Sequence, residues 1–237
     1  MQNEFERSNS NNRREGSRLC GQNAEGCTKM GGGRDIRMLA SGLPSQRFGS
    51  NEQISRAEVQ RESERLISDA KKEGLYISPL QFSSYGSRKR QPSGESIVFI
   101  DKSQETVIKV KDPFAKLHLK GNNPYNVLFE HLVHNFLFPE APYAFIGVSE
   151  EFGDVRFVFE QPYIKESFER ASEIEVNEYM SELGFEKSGY YYTDGYVSVT
   201  DLGGDNVLKS SDGKLYFIDP IFRFDVSPRD AIAHFKL

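Results

Sequence analysis

Three side chains near the C-terminal end have the types and spacing that divalent-cation and phosphate chemistry requires. Asp201 precedes Asn206 by five positions, and Asp219 follows Asn206 by thirteen, closing the apolar run Leu215-Tyr216-Phe217-Ile218. An amide oxygen and a carboxylate are hard oxygen ligands, and a magnesium ion completes its octahedron with phosphate oxygens and water. Ser211-Asp212-Gly213 supplies turn chemistry between Val207-Leu208 and that run, so the chain is expected to fold back and set Asp219 beside Asn206. Each residue has a plainer explanation by itself: Asp201 and Asn206 can cap turns, Asp219 can end a strand, and Asp205 can be solvated. Their joint spacing favours a site.

A cation for phosphates is offered by Lys109 in Val107-Ile108-Lys109-Val110. Alternation along a strand puts Ile108 and Val110 on one face and Lys109 on the other, where it is expected to meet a wet cleft. Lys111 shares that face and competes for the role, but it stands at the strand's exit beside Asp112-Pro113. An ordinary half-exposed lysine is the plain alternative. An ammonium that contacts nucleotide needs a partner to hold it, and Glu130 qualifies. With Val127, His134 and Leu137 it lies on one helical arc that is expected to face Lys109. Otherwise Glu130 pairs at the surface with His134, an interaction worth a few tenths of a kcal/mol.

The surrounding pattern supplies a scaffold. A solvent-facing helix is expected over 53–72, with Ile54, Val59, Leu66 and Ile67 as its thin apolar face and Gly74 as its stop. After a polar turn segment from Gly86 to Ser96, strands at 97–100 and 106–110 form a hairpin. Asn123 can cap the next helix, Pro124 fits its first position and Pro139 ends it. Strands at 143–148 and 155–159 follow, and the chain is expected to leave the sheet through Gln161-Pro162-Tyr163 because proline removes a donor. A helix at 173–183, strands at 196–199 and 214–218, and a short helix opened by Ser227-Pro228 complete the pattern. Strands with an embedded helix, then a linker and a mostly helical region, give an α+β class with two lobes. Clefts between lobes are common ligand sites.

Composition narrows the partners. A formal net charge of -5 provides no global field for a polyanion, so no specific nucleic acid is expected. Neither a secretion signal nor a membrane span is evident, which makes a cytoplasmic protein with no membrane partner the expectation. Residues 1–50 are rich in Asn, Ser, Arg and Gly and poor in periodic apolar residues, the composition of a disordered polar tail. Cys20 and Cys27 fall inside that tail, where a disulfide would close a short loop and stabilise little.

The loop from Asp201 to Asp219 resembles the protein-kinase catalytic loop, in which Asp is followed five positions later by Asn and then by a metal-binding Asp. More closely, Asp201-Leu202 to Asn206-Val207-Leu208, Lys214-Leu-Tyr-Phe-Ile-Asp219-Pro220 and His134-Asn-Phe-Leu-Phe-Pro139 resemble the kinase-like domain of the polyvalent proteins of bacterial phages and conjugative elements. The likeness spans about residues 75–225.

It implies a compact two-lobed protein-kinase-like fold within 51–237, with a small antiparallel-sheet N-lobe at about 75–160 and a truncated C-lobe at about 164–237. The implied activity is an ATP- and magnesium-dependent phosphotransferase that moves the γ-phosphoryl group to a hydroxyl of a protein or small molecule. By the same resemblance Asp201 orients or deprotonates that hydroxyl, Asn206 and Asp219 hold magnesium, and Lys109, fixed by Glu130, contacts phosphates. Ser93, Gly94 and Glu95 stand where a phosphate-covering loop would. Glu160, Gln161 and Tyr163 stand at the hinge, whose backbone would receive the adenine edge. A part in conflict or establishment in a host is also implied.

Departures from the kinase pattern keep other functions open. Val199 replaces the usual histidine, Gly203-Gly204-Asp205 lacks the lysine that follows the catalytic Asp, and Asp219 is followed by Pro220-Ile221. The glycine pattern of the phosphate-covering loop is absent too. Eighteen residues follow Asp219, too few for a long activation segment or a helical platform for peptides, so partner proteins or fused domains are expected to add that surface. The main alternative is a catalytically degenerate nucleotide-binding regulatory or protein-interaction module, and a purely structural interaction protein comes third. Turnover distinguishes them.

Overall fold

The computed structural model describes residues 55–90, 96–101, 103, 105–115, 124–164 and 169–237. The expected tail with its two cysteines, the cap at Asn123 and the loop residues Ser93, Gly94 and Glu95 lie outside them. The chain has an α+β fold of helices and antiparallel sheets, divided into two compact units. The described parts of Met30–Leu128 and Tyr143–Lys165 form the first, and those of Phe129–Pro142 and Glu166–Leu237 the second.

The first unit opens with helix α1 (Arg56–Glu73). Ser55 and Glu58 form a reciprocal capping box at its start, and Gly74, with φ of 67°, ends it in a left-handed turn. Ser63, Ile67 and Ala70 are its buried side chains. A sheet follows, built from β1 (Ser87–Arg90), β2 (Ser96–Asp101), β3 (Thr106–Lys111), β4 (Ala144–Glu151) and β5 (Asp154–Pro162). Its order is β1-β2-β3-β5-β4, with each pairing antiparallel. The segment expected to be wholly turn therefore contributes an edge strand, Ser87–Arg90. Ile77, Phe99, Ile108, Val110 and Val158 form one buried cluster of this unit. The chain after α1 is pinned to β4, where Ile77 donates to the Val148 carbonyl (2.8 Å) and Val148 to that of Leu75 (2.9 Å). Gly147 allows this approach, since a Cβ there would lie 2.3 Å from the Leu75 oxygen.

Helix α2 (Asn126–Leu137) begins two residues later than Pro124, the expected first position. Pro124 and Tyr125 instead form the turn before it, closed by a 2.9 Å bond from the Leu128 amide to the Tyr125 carbonyl. Tyr125 is held in that turn by α1, because its hydroxyl donates to Glu62 and accepts from Arg65. Burial and the bond to Glu62 push the Tyr125 phenol above its ordinary range. The first three residues of α2 count with the first unit and the remainder with the second.

The second unit is richer in strands than the expected mostly helical region. It holds β6 (Glu169–Arg170), α3 (Glu173–Glu182), β7 (Glu186–Ser188), β8 (Tyr191–Thr193), β9 (Val197–Thr200), β10 (Val207–Lys209), β11 (Leu215–Phe217), β12 (Ile221–Phe224) and α4 (Pro228–Phe235). One sheet has the order β11-β10-β6 and the other β12-β9-β8-β7. Ser172 caps α3 through a box with Glu175, and Ser227 caps α4 with Pro228 in its first turn. The core joins Val133, Leu137 and Phe138 of α2 and its exit to Met180, Val197, Val199, Val207, Phe217 and Phe235. Each such side chain, fully withdrawn from water, stabilises the unit by roughly 1.5–3 kcal/mol. Among the described residues no helix is long and apolar enough to cross a membrane.

Candidate active site

Two antiparallel pairings in the second unit gather Asp201, Asn206 and Asp219. Asp201 leaves the end of β9, where Thr200 lies opposite Ile221 of β12, and Ile221 stands two residues after Asp219. Asn206 leads into β10, where Val207 lies opposite Phe217 of β11, and Phe217 stands two residues before Asp219. Asp219 is thus bracketed by strands whose partners adjoin Asp201 on one side and Asn206 on the other. Hydrogen bonds tighten the bracket. The Ile218 amide donates to the Asn206 carbonyl at 2.9 Å, and Asn206 Nδ2 donates to the Asp201 carbonyl at 3.2 Å.

With its amide nitrogen engaged, Asn206 has Oδ1 as the side-chain atom that could hold a cation. Asn206 and Asp219 are half-buried and Asp201 is exposed. Asp201 adopts φ of 60°, a left-handed conformation that aspartate tolerates better than most side chains and that functional loops often retain. Gly203 and Gly204 lead into the single 3-10 turn Gly204–Asn206 that returns the chain to β10. An amide oxygen and a carboxylate fit magnesium in donor chemistry. Among the described residues no group of three or more His, Cys, Asp or Glu side chains is placed to hold a metal ion, so a cation here would draw further ligands from phosphate and water.

Flanking contacts brace the loop. Arg170 of β6 pairs with Asp205 at 2.7 Å, placing a guanidinium beside Gly203 and Gly204, where the sequence lacks a lysine. Lys209 of β10 bonds Glu175 of α3. That bond, helped by donors from Ser172, holds the Glu175 carboxyl well below the ordinary carboxylate range, at about 2.

In the first unit Lys109 departs from its expected wet setting, being only 4% exposed. It lies on β3 between Val98 of β2 and Phe159 of β5. Its ammonium donates to the Tyr143 hydroxyl at 2.6 Å and sits 4.9 Å from the centre of that ring. Lys111, on the same face as expected, stands 5.3 Å from the same ring. A polar strand face is buried here because a tyrosine covers it with an apolar body and a hydroxyl that can accept.

The expected hinge also differs from its sequence picture. Gln161 and Pro162 remain in β5, opposite Val107 and Thr106, and the Tyr163 amide donates to the Glu105 carbonyl at 2.7 Å. The strand runs three residues beyond the expected end at Phe159 and stops at Pro162. On the other edge of β5 the pairing with β4 ends at Ala144 opposite Glu160, so Gln161 lies past its end. Gln161 is buried, whereas Glu160 and Tyr163 are partly exposed.

Glu130 is half-buried on α2, one turn before His134. His134 is 1% exposed, and its Nε2 lies 3.1 Å from the Phe217 carbonyl. Tyr143 and Arg170 are polar contacts that sequence reasoning passed over, and His134, expected as a surface partner of Glu130, is instead buried against the Phe217 carbonyl. The signal for Tyr143 was a hydroxyl-bearing ring entering an apolar strand. Arg170 gave no signal.

No curated protein and no solved structure matches the chain. A family model described as a serine/threonine/tyrosine kinase found in polyvalent proteins matches residues 59–226. The matched span is well over half of the 237 residues and contains Lys109, Glu130, Asp201, Asn206 and Asp219. The chain that folds around this loop therefore belongs to the kinase family found in polyvalent proteins.

Proposed function

We propose that the protein is an ATP- and magnesium-dependent phosphotransferase that moves the γ-phosphoryl group to a hydroxyl of a protein or small molecule. The family membership supports a kinase-like activity. The observation that carries the chemistry is the bracketing of Asp219 by the Thr200–Ile221 and Val207–Phe217 pairings, which collects a carboxylate, an amide oxygen and a second carboxylate on one loop cluster. In this account the sheet-bearing first unit is the N-lobe and the second unit the C-lobe of a kinase-like fold.

Asn206 Oδ1 and the Asp219 carboxylate would hold magnesium, whose charge, when bound, neutralises phosphate oxygens. Asp201, exposed at the end of β9, orients the acceptor hydroxyl. As the bond from acceptor oxygen to phosphorus forms and the bridge to the departing ADP breaks, its carboxylate takes the hydroxyl proton. Lys109 supplies a fixed positive charge for the α and β phosphates, with Tyr143 restraining the ammonium and Glu130 as the proposed carboxylate partner. Ser93, Gly94 and Glu95 are the proposed phosphate-covering loop. Glu160, Gln161 and Tyr163 are the proposed adenine-side hinge.

The test is transfer of label from γ-labelled ATP, with magnesium, to the protein itself or to proteins and small molecules of a host lysate. Wild type should transfer label, and Asp201→Asn should lower transfer at least about a hundredfold, as loss of a positioned base does. Equal labelling by the two would remove Asp201 from the chemistry.

A further inference from the structure

His134 is a buried imidazole among aromatic rings, with Phe138 at 5.4 Å and Phe222 at 6.2 Å between ring centres, both edge-on. An imidazole in such surroundings is unfavourable unless its nitrogens are bonded. Its Nε2 lies 3.1 Å from the Phe217 carbonyl, which can only accept, so Nε2 carries the proton and donates. Nδ1 lies 3.4 Å from Asn135 Oδ1.

The bonded carbonyl occupies a particular place. The Phe217 C=O and the Ile218 N–H belong to one planar peptide unit. That unit is held at both ends, by His134 on its oxygen and by the Asn206 carbonyl, 2.9 Å away, on its nitrogen. The Phe217 ring is also held, stacked on Phe138 at 4.1 Å with 18° between planes. Asp219 is the second residue of the segment that leaves this peptide. Fixing the plane at both ends therefore sets the direction in which the chain carries the Asp219 carboxylate, while the same peptide tethers Asn206.

We propose that His134 is a positioning residue for the Asn206 and Asp219 pair, acting through the Phe217–Ile218 peptide; the assignment rests on the phosphotransferase reading above. His134 touches neither nucleotide nor metal in this role. Without its N–H the peptide is held at one end only and the cation ligands lose their fixed spacing. Outer contacts of this kind typically change metal affinity by about 10–100-fold.

The experiment uses the full chain as wild type, His134→Leu and His134→Gln, the last placing an amide N–H where Nε2 lies. Two readouts are taken on each. Hydrogen exchange of the Ile218 amide is followed without nucleotide or metal, and the magnesium concentration that half-saturates ATP binding is measured by calorimetry. In His134→Leu, Ile218 should exchange faster and the magnesium requirement should rise by about tenfold or more, with His134→Gln restoring both to within about threefold. If His134→Leu does not fold, His134→Asn, whose amide is too short to reach, takes its place. Unchanged Ile218 exchange, or an unchanged magnesium requirement beside a magnesium-dependent wild type, overturns the assignment of His134 alone. A wild type that binds no ATP at any magnesium concentration overturns the phosphotransferase reading, and with it this role, even where exchange at Ile218 responds to the substitution.

Discussion

Lys109 donates a 2.6 Å hydrogen bond to the hydroxyl of Tyr143 while lying over that tyrosine's ring, so one side chain restrains the ammonium through both its hydroxyl and its π face. A flexible four-carbon chain loses much freedom when ordered, and a restraint in place before nucleotide arrives lowers that loss on binding. The neighbouring Lys111 shares the ring, its ammonium 5.3 Å from the ring centre.

Tyr143→Phe should keep the ring and remove the acceptor. A hydrogen bond of this kind contributes about 1 kcal/mol, so magnesium-ATP affinity is expected to fall roughly three- to tenfold and unfolding free energy by about 1 kcal/mol. Calorimetry and urea unfolding measure the two. Unaltered affinity would mean that the tyrosine does not prepare Lys109 for nucleotide.

Gly147 offers a test of how the chain after α1 is seated. A Cβ would meet the Leu75 carbonyl oxygen at 2.3 Å and Ile77 side-chain carbons at 3.0 Å, so backbone must move to admit it. Gly147→Ala is expected to lower stability by more than about 2 kcal/mol, through overpacking and loss of the bonds that pin 75–77 to β4. A melting temperature equal to that of wild type would contradict this seating.

The ion pair between Glu175 and Lys209 predicts a signature in acid. The folded carboxyl titrates at about 2 against an ordinary 4.5, so its contribution is fully present above about 4.5 and is lost as pH falls toward 2. Glu175→Gln keeps a side chain able to complete the capping box on Ser172 but removes the charge. The difference in stability between wild type and variant should therefore shrink steadily across that window in acid unfolding curves. A difference independent of pH would assign the effect to the cap alone.

Much of the first unit was legible because its strands alternate or run apolar between turn residues, as in Ile97-Val98-Phe99-Ile100 and Val107-Ile108-Lys109-Val110. Helix ends were legible where glycine must take a left-handed turn, as at Gly74. The strand Ser87–Arg90 was not, since the edge strand of a sheet needs no apolar run to pair. In the second unit, Glu186–Ser188 and Tyr191–Thr193 pair as a short hairpin whose outer strand is polar, and Ile221–Phe224 directly follows Pro220 and pairs with a strand more than twenty residues earlier. The spacing of Asp201, Asn206 and Asp219 did anticipate that the chain folds back between β10 and β11. It did not anticipate the second bracket, because the pairing of Ile221 with Thr200 joins residues far apart in sequence and leaves no local pattern. The burial of Lys109 was hidden for the same reason: only the folded sheet brings Tyr143 across it.

The central claim is that Asp219 and Asn206 form a metal-dependent nucleotide site to which Asp201 adds the chemistry of transfer. Calorimetric titration of ATP into wild type, Asp219→Asn and Asp201→Asn, with and without magnesium, tests it most directly. Wild type should bind ATP with magnesium and far more weakly without it. Asp219→Asn should lose at least about tenfold in magnesium-dependent affinity, because magnesium tolerates little displacement or loss of charge among its ligands. Asp201→Asn should stay within about threefold of wild type, since its carboxylate serves the acceptor and not the nucleotide. Binding that is indifferent to magnesium, or equal in all three proteins, would contradict the account.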